Sequence, residues 1–411
     1  MIGAHAARRV CLDESPGAAA ELFRRQGLDP RRLERLLFST ADAGEAARSE
    51  TVKLMDAWGR PTEAELYVPS RQDGRPLGLI VGLHGVGSSA AVLQDHLRAL
   101  ADACGAVLLC PTALQPIGTS NNFDVAGIFG SRFREARWTT EPGDFPVRAL
   151  RWAREHLAVD VNRCALVGAS MGGIATWGMA SRRWDGLAMA TSINGAPSIW
   201  EMFGPDNTMR ELLPNVLSVP LTVVHGVRDQ QIPLILARDA VTHLRGQGHQ
   251  GISFVEVPDG EHKLSTMGIE PGNPQFDEVV RCFGAAKRMP WPRHVRHRAR
   301  ERAHSRAHWV EMDDLLPGSM ATVDARAVDR THLVIRASGC SRLRLFLGDR
   351  LVDHGRVLVT VNNKSREIDF RPSLADAIAT YGEADADPGR MAQMVVEMTL
   401  PEIREEEGTT C

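Results

Sequence analysis

The stretch Cys164-Ala165-Leu166-Val167-Gly168-Ala169-Ser170-Met171-Gly172-Gly173 decides the fold of this chain. Its apolar first half is typical of a buried strand, and it breaks into Gly-x-Ser-x-Gly before a helical pattern begins. Glycines on both sides of Ser170 permit a tight strand-to-helix turn, because residues without side chains let the flanking turns approach each other. The turn also directs the backbone N–H of Met171 and the start of the helix toward any anion formed beside Ser170. We predict that Ser170 is a nucleophile that needs a base and an acid from elsewhere in the chain.

Two turns further along the chain supply those partners. The run 221–224 is a β-branched strand followed by a turn that carries Asp229, and the strand 252–257 is followed by a turn that carries His262. Asp259 and Glu261 compete with Asp229 for the role of the acid, but their closeness to His262 in sequence makes the required approach awkward. The order serine, acid, histidine differs from the orders in chymotrypsin and subtilisin.

Upstream, another apolar strand ends in the turn His84-Gly85-Val86-Gly87. We expect the backbone N–H of Val86 to complete an oxyanion hole with that of Met171. His84 and His225 also stand at strand ends, but each precedes a glycine at a turn, so we interpret both as structural. Cys164 lies in the strand before Ser170, where a buried thiol is typical, and we do not assign it a nucleophilic role.

The four turns together resemble those of a known superfamily. The motifs LHGVG, GASMGG, HGVRDQQIP and PDGEH, spread over residues 51–288, are similar to those of α/β-hydrolases. Within that superfamily the chain is most similar to the branch with feruloyl esterases, polyhydroxybutyrate depolymerases and dienelactone hydrolases. The resemblance implies an α/β fold with a mostly parallel sheet flanked by helices. It also implies cleavage of carboxylic esters by Ser170, His262 and Asp229 through an acyl-enzyme, without a cofactor or a metal.

Two other functions stay open. A serine peptidase of the prolyl-oligopeptidase-like type shares the same oxyanion chemistry, and a catalytically inactive hydrolase-fold protein would only bind its ligand. The substrate is expected to be a small-molecule or polymer-linked ester. The long connection between Pro111 and Phe145 predicts a wall of the substrate pocket, with Phe129 and Trp138 facing the substrate, or else ordinary surface packing. Trp200 is expected on the opposite wall, in the segment that begins at Asn194.

Hydrophobic patterning divides the chain into three parts. Residues 1–50 are predicted to form a peripheral helical extension, residues 51–288 the hydrolase domain, and residues 289–411 a smaller β-sandwich-like accessory domain. The basic run 293–302 resembles an edge strand of similar two-domain hydrolases, and we prefer that interpretation to a nucleic-acid patch. Within the last part, residues 373–381 predict a short helix and residues 394–398 a late strand.

Composition limits the classes of partner. The 411 residues have a net charge of −3, with 43% hydrophobic and 24% charged residues, which is ordinary for a globular protein. This balance favours neither nucleic acid nor an anionic membrane as a general partner. No apolar run approaches the ~20 residues of a membrane span, and the first residues lack the apolar core of a signal peptide, so a cytoplasmic location is expected. The seven cysteines show no metal-ligand spacing, and neither zinc nor a disulfide framework is expected. The oligomeric state stays open.

Overall fold

The computed structural model describes residues 2–39, 46–55, 59–70, 76–113, 138–140, 143–197 and 211–400. A large sheet with helices on both faces occupies the middle of the chain, and two smaller sheets follow it. Three helices precede the large sheet. Phe129 and Trp200 lie outside the described residues.

Within the described residues, the large sheet has eight strands, and one of them runs opposite to the others. Its strands are β1 (Arg48–Met55), β2 (Pro61–Val68), β3 (Leu77–Leu83), β4 (Ala106–Pro111), β5 (Val159–Ala169), β6 (Met189–Ile193), β7 (Leu221–Gly226) and β8 (Ile252–Val257). They lie in the order β1-β2-β4-β3-β5-β6-β7-β8, in which β2 is antiparallel to both of its neighbours and all pairs from β4 to β8 are parallel. The inner strands are buried along their length because helices cover both faces, which explains why they are continuous apolar runs rather than alternating ones.

Within the described ranges, five helices cover this sheet. They are α4 (Ala90–Cys104), α5 (Phe145–His156), α6 (Met171–Arg182), α7 (Leu234–Gly246) and α8 (Pro274–Ala285). α4 and α8 pack in one apolar cluster, while α5 and α6 pack in another. Local sequence fixes the ends of α4: the Ser89 hydroxyl accepts from the N–H of Val92, and Gly105 ends the helix with φ 57°. Because the strands from β3 to β8 are parallel, their carboxyl ends lie at one edge of the sheet, and the turns that follow them meet there.

The C-terminal region is a β-sandwich, as expected. One sheet contains β9 (His294–Ala299), β12 (Ala321–Ala327), β13 (His332–Ser338), β15 (Gly355–Val361) and β16 (Lys364–Phe370), in that order. The other contains β10 (Arg306–Ala307), β11 (Val310–Leu315), β14 (Cys340–Leu347) and β17 (Met394–Thr399). Residues alternate along β12, with Ala321, Val323, Ala325 and Ala327 buried and the intervening residues more exposed. Both sheets contribute to one apolar core that includes Trp309, Phe346 and Phe370. The basic run forms β9, an edge strand.

The N-terminal helices pack against the C-terminal region rather than standing apart. They are α1 (Ala4–Asp13), α2 (Pro16–Arg25) and α3 (Pro30–Leu37), and they share an apolar cluster with α9 (Leu374–Glu383). Phe23 and Leu33 are completely buried in this cluster together with Tyr381 of α9. The helical extension predicted for residues 1–50 is thus joined to the last part of the chain by a core of its own.

Buried ion pairs connect the hydrolase-like region to the sandwich. Asp185, just before β6, accepts a hydrogen bond from the backbone N–H of His308 at 2.9 Å and forms an ion pair with Arg390 at 2.7 Å. Asp387, in the C-terminal region, forms a two-pronged ion pair with Arg288 and lies 3.6 Å from a guanidinium nitrogen of Arg154. Each region therefore buries charged side chains whose partners lie on the other region. Because an unpaired buried charge is destabilising, the stability of each region depends on the other.

In the part of the chain that the structure describes, none of the helices combines the length and apolar character that crossing a bilayer requires.

Candidate active site

Ser170 occupies a strained turn at the end of β5. Its backbone has φ 56° and ψ −117°, and α6 begins at the next residue. A positive φ is uncommon for a residue with a side chain and persists only where the surroundings impose it. Here the Ser170 N–H donates to the carbonyl of Ile193 on β6 at 2.9 Å, and this hydrogen bond fixes the turn to the neighbouring strand.

Two glycines make this turn possible. A Cβ atom at Gly168 would lie 2.0 Å from the carbonyl oxygen of Gly172, and a Cβ at Gly172 would lie 1.8 Å from the carbonyl oxygen of Leu83. Both distances are far below contact, so any side chain at either position would push the strand, the helix and β3 apart. The spacing Gly-x-Ser-x-Gly is therefore a steric requirement of the turn.

The structure brings Ser170, His262 and Asp229 into one hydrogen-bonded chain. Ser170 Oγ lies 2.7 Å from His262 Nε2, and His262 Nδ1 lies 2.7 Å from Asp229 Oδ2. An ionised carboxylate only accepts hydrogen bonds, so Nδ1 of His262 carries the proton and donates a hydrogen bond to Asp229. The other ring nitrogen is then left as an acceptor for the Ser170 hydroxyl, which is the arrangement that a general base requires.

The Asp229 side chain is held by more than the histidine. Its Oδ1 accepts from the backbone N–H groups of Gln231 at 2.8 Å and Ile232 at 2.9 Å. Burial acts to raise the pKa of Asp229, but hydrogen bonds from His262 and from this backbone outweigh burial and hold that pKa below its ordinary value. The carboxylate is therefore ionised and oriented before any substrate is present.

The two competing carboxylates point to other partners. Asp259 forms an exposed ion pair with Arg228 at 2.6 Å, and Glu261 forms one with Lys263 at 2.9 Å. Asp229 is the carboxylate within hydrogen-bonding distance of His262. The Arg228–Asp259 pair joins the turn after β7 to the turn after β8.

Asn194, which follows β6, connects the turns that hold Asp229 and His262. Its side-chain amide donates to the carbonyl of Glu261 at 2.9 Å, and its side-chain oxygen accepts from the N–H of Gly226 at 2.8 Å. The residue is 4% exposed and has φ 48°, a conformation that asparagine tolerates better than most residues. The segment that begins at Asn194 is expected to form a wall of the pocket, but the side-chain amide of Asn194 binds backbone groups instead. The Asn-Gly pair directly after a strand was the signal for such a turn.

His84, Trp138 and His225 have structural contacts. His84 Nε2 accepts from the N–H of Ala113 at 3.1 Å, and the Trp138 indole donates to the His84 carbonyl at 3.2 Å. Trp138 is completely buried and stacks on Phe145, so it supports the turn at His84 from within the core. The prediction that Trp138 faces the substrate is therefore wrong. His225 is also fully buried, and its Nε2 donates to the carbonyl of Ile232 at 2.8 Å. Burial lowers the pKa of His225, which favours its neutral form.

A cavity of about 690 Å³ opens above Ser170. Val86 and Met171, the two residues expected to supply the oxyanion N–H groups, both line it. Because α6 begins at Met171, its first N–H groups have no partner within the helix. The other lining side chains are mainly aliphatic and include Val92, Leu93, Ile174, Ile232 and Leu264. The cavity can therefore enclose an apolar group beside the nucleophile and its base.

No metal arrangement is found among the residues that the structure describes, where no set of three His, Cys, Asp or Glu side chains could hold an ion. Cys104, Cys110 and Cys164 are buried free thiols, and burial raises the pKa of each.

No family model matches the chain, and no curated protein matches it. Several solved structures are distantly similar to it. A fluorophosphonate-binding serine hydrolase of Staphylococcus aureus is 13% identical, over 58% of this chain and 99% of that one, with a TM-score of 0.45. An acylaminoacyl peptidase of Pyrococcus horikoshii is 16% identical, over 59% of this chain and 42% of that one, with a TM-score of 0.45. An esterase of Pyrobaculum calidifontis is 18% identical, over 66% of this chain and 94% of that one, with a TM-score of 0.41.

The strand order carries the assignment of the fold. The eight-stranded sheet has β2 as its antiparallel strand, and a serine turn follows β5 directly. This agrees with the mostly parallel sheet flanked by helices that the sequence resemblance implies. The acid turn after β7 and the histidine turn after β8 complete it. The chain has the α/β-hydrolase fold, with a β-sandwich attached at its C-terminal side.

Proposed function

We propose that this protein is a serine hydrolase that cleaves carboxylic esters through an acyl-enzyme. One observation carries the proposal: a serine with positive φ at a strand-to-helix turn hydrogen-bonds to His262, which hydrogen-bonds to a buried carboxylate. A hydroxyl is a weak nucleophile unless a base removes its proton, and this chain of hydrogen bonds supplies that base in the correct tautomer.

In the proposed reaction, Ser170 Oγ attacks the ester carbonyl carbon while His262 Nε2 takes the hydroxyl proton. The bond to the alcohol oxygen breaks as His262 returns the proton to the leaving alcohol, and the acyl group stays on Ser170. Water then attacks the acyl carbon as His262 takes one of its protons. The bond from the acyl carbon to Ser170 Oγ breaks, His262 returns the proton to Oγ, and the acid product leaves. Asp229 holds the imidazole and stabilises its charged form throughout.

We assign the oxyanion hole to the N–H groups of Val86 and Met171. Each lies on a residue that lines the cavity of Ser170, and the second belongs to the first turn of a helix. A backbone donor of this kind contributes about 3 kcal/mol to transition-state stabilisation in comparable sites. Ester and amide substrates form the same oxyanion, so this feature does not separate an esterase from a peptidase.

The cavity favours a substrate with an apolar acyl group. Val92 and Leu93 on α4 form one aliphatic wall, and Ile174, Ile232 and Leu264 contribute to the others. Small or polymer-linked esters of the kinds suggested by the sequence resemblance, including feruloyl and hydroxyalkanoate esters, are the first candidates. Amides are the second.

A fluorophosphonate probe tests the nucleophile. The intact protein should be labelled at Ser170, and Ser170→Ala should lose labelling and ester hydrolysis while keeping its unfolding transition. Ser265→Ala is the matched control, because Ser265 is an exposed serine that lines the same cavity. Labelling that persists in Ser170→Ala, or a wild-type protein that does not react, would contradict the proposal. The second result would favour a protein that only binds its ligand.

A substrate panel then tests the bond type. p-Nitrophenyl esters of increasing acyl length, feruloyl esters and aminoacyl amides should be compared by kcat/KM. We expect esters with short to medium apolar acyl groups to react fastest. Faster cleavage of aminoacyl amides than of every ester would replace the esterase assignment with a peptidase.

A further inference from the structure

A second cavity lies between the β-sandwich and the hydrolase-fold region. Its volume is about 990 Å³, larger than the cavity at Ser170. The floor is the outward face of β9, β12 and β13, and one wall is formed by residues 214–218 and 247–248. We call this cavity the arginine cleft, because Arg296, Arg298 and Arg336 line it.

The arginine cleft is remote from the proposed active site. Residues 214–218 precede β7 and residues 247–248 precede β8, so the wall stands at the amino edge of the parallel strands. Ser170, Asp229 and His262 all follow the carboxyl ends. A strand of the length of β7 spans about 20 Å, which separates the two cavities and makes them independent.

The charges on the floor are arranged in rows across the strands. Arg296, Asp324 and Arg336 are direct neighbours on β9, β12 and β13, and all three face outward. The two arginines are therefore two strand spacings apart, about 10 Å. In the next row, Arg298 stands beside Thr322 and Ser338, whose hydroxyls lie 2.8 Å from each other.

Most of this positive charge is not neutralised by the protein. Among the residues that line the cleft, Asp324 is the carboxylate. It already pairs with His294 at 3.0 Å and with Arg326, which lies outside the cleft, at 3.1 Å. Arg296 reaches it only at 3.9 Å. Arg336 is exposed, and no carboxylate among the described residues pairs with it.

Among the described residues, the guanidinium of Arg298 donates to a backbone carbonyl, that of Glu211 at 3.4 Å, and to no carboxylate. Guanidinium groups in such positions are free to form two-pronged hydrogen bonds with carboxylates.

The geometry points to a polyanion with spaced carboxylates. We propose that the arginine cleft binds an acidic polysaccharide, whose uronate groups pair with Arg296 and Arg336 on either side of Asp324. A single compact anion fits less well, because Asp324 stands between the two arginines and repels an anion placed midway. The hydroxyls of Thr322 and Ser338 and the amide of Asn363 supply partners for sugar hydroxyls. No aromatic ring other than histidine lines the cleft among the described residues, so stacking of nucleobases is not favoured.

Binding to polygalacturonate tests the proposal. The full chain should bind this polymer at low salt, with affinity that falls as salt rises, and should not bind dextran, a neutral polysaccharide. Arg296→Gln with Arg336→Gln should weaken binding at least about tenfold, because two charge-assisted contacts are lost. The matched control is Arg356→Gln with Arg366→Gln, which removes the same charge from exposed positions of the same sheet outside the cleft.

The control pair should change binding less than about twofold, and neither pair should change hydrolysis of a small soluble ester, because the cleft is remote from Ser170. Equal weakening by the two pairs would overturn the proposal in favour of general electrostatic attraction. Absence of polygalacturonate binding, or tighter binding of single-stranded DNA with the same dependence on Arg296 and Arg336, would also overturn it. Since these readouts are affinities, they do not depend on whether Ser170 is a nucleophile.

Discussion

Asp387→Asn should strongly destabilise the protein, although it changes no volume. The carboxylate is completely buried, and it forms ion pairs with Arg288 and Arg154, whose side chains are each 2% exposed. Burial acts to raise the pKa of Asp387, but the two guanidinium groups outweigh burial and hold that pKa at about 2. A neutral amide would leave two buried guanidinium groups without a carboxylate.

Removing one member of a buried ion pair typically costs about 3–5 kcal/mol, because the remaining charge stays desolvated. Arg288 would keep only weaker acceptors, the carbonyl of Asp185 at 3.1 Å and the side chain of Asn162 at 3.2 Å. We therefore expect the free energy of unfolding of Asp387→Asn to be lower than that of the wild type by at least about 3 kcal/mol.

Urea unfolding, followed by tryptophan fluorescence and far-UV circular dichroism, measures this loss. Asp369→Asn is the matched control, since Asp369 pairs with Arg371 at 2.6 Å on the surface, and such exposed pairs contribute about 0–1 kcal/mol. A loss for Asp387→Asn no larger than that of Asp369→Asn would refute the reasoning that this buried cluster holds the sandwich to the hydrolase fold.

Three further predictions concern the site and the pH dependence of stability. Asp229→Asn should lower kcat/KM for a p-nitrophenyl ester by up to about 10⁴-fold, because the wrong imidazole tautomer is favoured, whereas Asp259→Asn should have little effect. Asn194→Asp cannot donate to the Glu261 carbonyl, so the turn that carries His262 loses a contact and kcat should fall by roughly tenfold or more. The pH profile of kcat/KM should move to higher pH, because the new negative charge favours the imidazolium form of His262. Burial lowers the pKa of His308 to about 4, so below pH 6.5 the unfolded chain binds a proton that the folded chain does not. Between pH 8 and pH 5 the wild type should therefore lose about 2 kcal/mol more unfolding free energy than His308→Gln, measured by urea unfolding at each pH.

The sequence was informative where the chemistry depends on turns at strand ends. Ser170, Asp229 and His262 each follow a predicted strand, so the placement of these strands in one parallel sheet was enough to predict that the three residues meet. The choice of Asp229 over Asp259 also followed from spacing, and the structure places only the former against His262.

Long connections were less predictable, because tertiary contacts decide where their side chains go. Trp138 follows a segment rich in glycine and aromatic residues, which predicted a pocket wall. In the structure its indole N–H binds a carbonyl 54 residues earlier in the chain, at His84. Buried indole N–H groups usually find an acceptor, but the sequence does not indicate which one. Asn194 illustrates the same limit, since its two partners lie on different strand-end turns.

The three predicted parts of the chain also depend on one another for stability more than their sequence patterns indicate. Period-two strands after residue 288 correctly predicted a sandwich, and helical spacing in the first residues correctly predicted helices. Neither pattern shows that α1, α2 and α3 bury their apolar faces on α9, or that Asp185 and Arg390 pair across the contact between regions. These contacts join residues far apart in sequence, and each depends on both partners being folded. Buried charges and a shared helical core therefore bind the three predicted parts of the chain into one interdependent structure.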